Sequence, residues 1–126
     1  NGAYVLSDCD GTPEAIIIAS GSEITLALQA QESLKAEGKN IRVVSMPSWE
    51  LFRAASADYK ESVLPKAIKA RLAVEAGATF GWERWVGDEG DILGVDRFGT
   101  SAPADRIFQE YGFTVDNVVS KVKALL

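Results

Sequence analysis

"IIIASGSEITLAL", residues Ile16 to Leu28, decides the fold. Three consecutive isoleucines make a run without alternation, which suits a strand covered on both faces. A glycine turn follows. Ile24, Ala27, Leu28 and Leu34 then fall at i, i+3, i+4 and i+10, the spacing of one helical stripe. Gly38 after Glu37 is a natural helix stop. "IRVVSMP", from Ile41 and closed by Pro47, reads as a strand again. The order strand, helix, strand implies a parallel pair joined by a right-handed crossover.

Upstream, Val5 lies in a short apolar stretch, Ala3 to Leu6, that ends at "SDCDGTP". Asp10-Gly11 is a tight-turn pair, so the sequence predicts a hairpin-like return into Ile16 and a first strand antiparallel to the second. Downstream, "SWELFRAASADYKESVLP" reads as short helical pieces with a break near Ser56. The last piece stops before Pro65, because the residue before proline disfavours helix. "ARLAVEAG" is a fourth strand, "TFGWERWVG" a loop with a short helical turn, and "GDILGVDRFG" carries a fifth strand around Ile92 to Val95.

Two helices complete the pattern. One begins near Pro103 and stops at Gly112, burying Ala104, Ile107, Phe108 and Tyr111. The other is capped by Thr114 and carries Val115, Val118, Val119, Val122, Leu125 and Leu126 at helical spacing. No repeat, linker or low-complexity tract interrupts residues 1–126, which predicts one domain. Alternating strands and helices give an α/β fold, a three-layer α/β/α sandwich around a mostly parallel sheet.

Composition narrows the chemistry. A net charge of −5 with 13 scattered lysines and arginines offers no basic footprint for nucleic acid or for an anionic membrane surface. No apolar run is long enough to cross a bilayer, and no signal peptide is visible. A chain starting at Asn1 is expected to be a processed or excised piece of something longer. Cys9 stands alone, which fits a cytosolic origin and forbids an internal disulfide. There is no histidine, so the chain has no Ser-His or Cys-His pair and no Cys/His zinc cluster.

In sheets of this type ligands sit beyond the carboxyl ends of the strands. Those ends are expected at Ser20-Gly21, Ser45-Met46, Glu75-Ala76 and Asp96-Arg97. The turn "ASGSEI" has one glycine and no lysine, and so lacks a phosphate-loop fingerprint. It does fit a capping box, with Ser20 accepting from the amide near Glu23 and Glu23 reaching back. The cap is the favoured reading. A weak anion or small-ligand site at Ser20, Gly21, Ser22 and Glu75 is the alternative.

Other candidates have bland readings beside the functional ones. "GDEGD", Gly87 to Asp91, gathers three carboxylates but lacks the long loop of a calcium site, so an exposed acidic turn is expected. Trp82 and Trp85, three apart, would share a helical face; with Phe80 they form a candidate interface, and core packing is the blander account. Glu75 and Asp96 end strands, and pairing with Arg71, Arg84, Arg97 or Arg106 is expected before catalysis.

Five blocks occur in the order and spacing of a known family. They are "VVSMPSWELF" (Val43–Phe52), "ESVLP" (Glu61–Pro65), "ARLAVEAG" (Ala70–Gly77), "FGTSAP" (Phe98–Pro103) and "YGFTVDNVV" (Tyr111–Val119). Together they resemble the C-terminal domain of transketolase over essentially the whole chain. "FRAAS" departs from the glutamine-containing form expected after "ELF".

The resemblance implies a five-stranded mixed sheet, order 1-3-2-4-5, with the first strand antiparallel. It also implies a parent enzyme that moves a two-carbon ketol unit between sugar phosphates in the pentose phosphate pathways. That enzyme would be a cytoplasmic homodimer using thiamine diphosphate and Mg2+ (or Ca2+). The family's cofactor and substrate groups come from the preceding catalytic domains and include histidines that this chain lacks. No catalytic, cofactor-binding or metal residue is therefore assigned here. Two roles are left: a structural and assembly module, or a small-ligand regulatory module binding an anion or nucleotide at the sheet crevice.

Overall fold

The computed structural model describes residues 2–21, 23–75, 83–94 and 114–126. Five strands form one sheet: β1 (Tyr4–Ser7), β2 (Ala15–Ala19), β3 (Ile41–Ser45), β4 (Arg71–Glu75) and β5 (Asp91–Gly94). The order is β1-β3-β2-β4-β5, with β1 antiparallel to β3 and every other pair parallel. The helices are α1 (Glu23–Ala36), α2 (Trp49–Ala54), α3 (Ala57–Val63), α4 (Glu83–Val86) and α5 (Val115–Leu125).

The isoleucine run occupies the central strand, and every residue of β2 is buried. Successive side chains point to opposite faces. Ile17 and Ala19 join Val43, Leu72 and Val74 on one face, under Ala27, Ala30 and Leu34 of α1 and Val118 and Val122 of α5. Ile16 and Ile18 join Val44 and Ala73 on the other, under Phe52, Val63, Trp85 and Val86 from α2, α3 and α4. The result is the expected three layers. Each fully buried isoleucine contributes roughly 1.5–3 kcal/mol, so this short strand anchors both cores.

The hairpin expected between β1 and β2 does not form. β2 uses both hydrogen-bonding edges, one on β3 and one on β4, so no edge is left for β1. The chain instead passes beyond β3, and β1 pairs there, with a register shift between Val5 and Ser7. Two side chains hold it. Gln31 Nε2 of α1 donates to the carbonyls of Ser7 and Ile41, at 3.2 and 2.9 Å. Arg42 of β3 reaches Asp8 with Nε and Nη2, at 3.0 and 3.2 Å.

The short helices start where their caps place them. Ser48, Ser56 and Thr114 are extended residues whose hydroxyls accept from Leu51, Tyr59 and Asn117 amides. The break near Ser56 is thus an N-cap, and α3 ends at Val63, short of Pro65. Strand β5 covers the expected Ile92, and the helix predicted from Thr114 is present as α5. The helix predicted from Pro103 to Gly112, and Asp96-Arg97, lie outside the described residues.

Candidate functional site

The carboxyl edge of the sheet brings together two parts of the crevice predicted from sequence. Ser20 follows β2 and Glu75 ends β4, and the two strands are neighbours. Ser20 Oγ donates to Glu75 Oε2 at 3.2 Å. Gly21 takes φ +60°, a turn conformation that glycine adopts without strain. Its Cα faces the Glu23 side chain: a Cβ there would stand 3.6 Å from Glu23 Oε2. Glu23 itself is only 5% exposed. Ser22 lies outside the described residues.

The capping box is therefore rearranged. The Glu23 amide donates to the Ser20 backbone carbonyl at 3.3 Å, and the Ile24 amide to that of Gly21 at 3.3 Å. The Ser20 hydroxyl is directed to Glu75 instead. Helix α1 starts at Glu23. Two carboxylates, Glu23 and Glu75, now flank the turn.

The aromatic segment turns inward where it is described. Trp85 is 7% exposed. Its ring packs edge-on against Phe52, centroids 5.3 Å apart, and against Trp49 at 6.2 Å. Trp85 Nε1 meets no acceptor among the described residues. As a candidate interface residue Trp85 thus presents almost no surface, because α4 lays it on the domain's own core. Phe80 and Trp82 fall outside the described residues.

The sequence offered Arg71 only as a partner for a strand-end carboxylate, and its actual role was missed. It opens β4, an interior strand, and is half-buried. Nε donates to the Ile68 carbonyl at 2.9 Å and Nη1 to the Trp85 carbonyl at 2.7 Å. Nη2 donates to Leu64 and Pro65 carbonyls at 3.2 and 2.8 Å. One guanidinium thus ties the end of α3, the loop after it and the end of α4 to the sheet. Burial pulls the guanidinium pKa below its usual value, and Glu61 opposes that shift. The signal in the sequence was a cation heading the apolar run Leu72-Ala73-Val74, where burial demands partners. Its partners are carbonyls rather than the strand-end carboxylates expected from the sequence.

The acidic turn at Gly87 to Asp91 is answered by lysines. Lys69 pairs with Glu89 at 3.4 Å and Lys121 with Asp91 at 3.5 Å. Asp91 Oδ1 also accepts from the Ile92 amide at 2.8 Å. Among the described residues no group of three or more His, Cys, Asp or Glu side chains could hold a metal ion. No helix among the described residues is long and apolar enough to cross a membrane.

Comparison with known proteins assigns the chain. A family model described as "Transketolase-like TK C-terminal domain" matches residues 2–114. The chain is 59% identical over 126 residues to a transketolase of Geobacillus stearothermophilus and 58% over 125 to transketolase 1 of Escherichia coli K12. Each match covers 99% of this chain but 19% of the relative, so the chain spans about a fifth of these relatives' length. The solved transketolase of Leishmania mexicana superposes with a TM-score of 0.89 at 40% identity, over 98% of this chain and 18% of that one. The sheet order, the outlying antiparallel strand and these matches agree: the chain belongs to the transketolase C-terminal domain family.

Proposed function

We propose that this chain is the C-terminal structural and assembly domain of a transketolase. The whole enzyme transfers a two-carbon ketol group between sugar phosphates, using thiamine diphosphate and Mg2+ (or Ca2+), as a cytoplasmic homodimer. The observation that carries the reading is the family match over nearly the whole chain, to relatives about five times as long. Residues 1–126 are then a single domain that packs on the preceding catalytic domains. It supplies no catalytic, cofactor-binding or metal residue.

The polar groups of the site support a scaffold role. Ser20, Gly21, Arg71 and the three capping hydroxyls all bond to the domain's own atoms. Phe80 and Trp82 are the candidate interface residues that remain. Among the described residues no observation favours the small-ligand reading at Ser20, Gly21 and Glu75, and Ser22 lies outside them.

Calorimetric titration with thiamine diphosphate and Mg2+ tests the proposal. The full-length protein is expected to bind the cofactor and turn over sugar phosphates, and this chain alone is expected to give no binding heat. Saturable cofactor binding by residues 1–126 would overturn it.

A further inference from the structure

A cavity of about 680 Å3 lies at the head of β4, between α2, α3 and α4. That is within the roughly 300–1,000 Å3 of small-molecule pockets. It sits at the opposite end of β4 from Glu75 and the carboxyl-edge crevice. The edges of Phe52, Leu64 and Trp85 form its floor, and all three side chains belong to the buried core. Core packing therefore holds the floor in place.

The walls carry charge. Among the described residues four cations line the cavity, Lys60, Lys66, Arg71 and Arg84, against two carboxylates, Asp58 and Glu61. The chain as a whole has the opposite balance, a net charge of −5. Both Glu61 oxygens accept from the Lys66 backbone amide at 3.2 Å, and Lys60 Nζ donates to the Arg53 carbonyl at 3.0 Å. Lys66 Nζ and the Arg84 guanidinium make no ion pair among the described residues.

Arg71 stands deeper, half-buried at the head of the strand. A guanidinium has five N–H groups. Four of them go to carbonyls of the domain, which leaves one on Nη1. Among the described residues no carboxylate forms an ion pair with Arg71. A partly desolvated guanidinium with a donor to spare is suited to an oxyanion, which strengthens the bond through its charge.

We propose that this cavity binds a small organic oxyanion, with its phosphate or carboxylate head on Arg71, Lys66 and Arg84 and an uncharged body over Phe52, Leu64 and Trp85. The ligand bridges α4 and the loop after α3, the two segments that Arg71 ties to β4. None of these contacts depends on the sugar chemistry of the preceding polypeptide.

Fluorine NMR of the full-length protein with 4-fluorophenyl phosphate, 4-fluorobenzoate and neutral 4-fluorophenol tests it. At least one of the two anions is expected to bind saturably below about 10 mM, and the phenol roughly tenfold more weakly. The two anions together decide which head group the site prefers. The double variant Lys66→Ala, Arg84→Ala changes two exposed side chains and should melt within about 2 °C of the parent protein. It should bind the anion roughly tenfold more weakly. No saturable binding of either anion would overturn the proposal. So would equal binding of the phenol, or an affinity that the double variant leaves unchanged, which would place the anion elsewhere on the protein.

Discussion

Removing the Arg71 guanidinium should loosen one whole layer of the sandwich. In Arg71→Met the stem is kept and four donated bonds are lost, to the carbonyls of Leu64, Pro65, Ile68 and Trp85. A hydrogen bond from a charged donor contributes about 1.5–3 kcal/mol net. The four share one head group and are not additive, and water can reach some of the freed carbonyls at a half-buried site. A loss of about 3 kcal/mol is therefore expected, a large part of the roughly 5–15 kcal/mol that holds a domain folded. Urea denaturation measures it. With a slope of about 1.5 kcal/mol/M the midpoint should fall by roughly 2 M at unchanged slope. Arg71→Lys keeps the charge but not the planar fork, and should recover less than half of the loss. The deficit should be the same at pH 6 and pH 9, because an arginine stays protonated throughout. A midpoint within about 0.3 M of the parent protein would refute this account of Arg71.

Three further outcomes follow from other contacts. Gly90→Ala places a Cβ 2.4 Å from the Val86 carbonyl oxygen and 2.6 Å from that of Arg71, both backbone; overpacking of about 2 kcal/mol should lower Tm by roughly 8 °C in a thermal melt. The Arg42 bond holds the Asp8 carboxyl below its ordinary pKa of 3.8, against the opposing effect of burial. This pair stabilises the fold above pH 3.8 and stops doing so as pH falls through the lowered folded-state value. With Asp8 47% exposed the effect is under about 1 kcal/mol, so Asp8→Asn should cost that little at pH 6 and nothing at pH 1.5, read by urea midpoints. Ser20→Ala should cost about 1 kcal/mol, most of it absent when Glu75 is already Ala, while far-UV circular dichroism stays unchanged; a full loss in the Ala background would break the Ser20–Glu75 assignment.

What the sequence made legible was local. The isoleucine run, the stripe from Ile24 to Leu34, the break at Ser56 and the cap at Thr114 are set by side chains within a turn or two, and each appears where its pattern puts it. Pairing partners are set elsewhere. That β1 lies on β3 depends on β4 claiming the other edge of β2, some 50 residues on, and no period in Ala3–Leu6 encodes it. In the same way the hydroxyl of Ser20 goes to Glu75, 55 residues away, rather than to the helix start three residues ahead. Helical spacing gives Trp85 a place on a helix face, but which way α4 turns Trp85 depends on Phe52 and Trp49 beneath it. The role of Arg71 escaped notice because its partners are carbonyls, which every residue carries and no motif marks.

The central claim is that this domain supports sugar chemistry carried out by polypeptide ahead of it. Ketol transfer between sugar phosphates should be followed with purified residues 1–126 alone, supplied with thiamine diphosphate and magnesium, beside the full-length enzyme at equal concentration. The account predicts turnover by the full-length protein and none above buffer by the domain. Sustained turnover by the domain, in a preparation shown by mass spectrometry to be free of the longer chain, would contradict it.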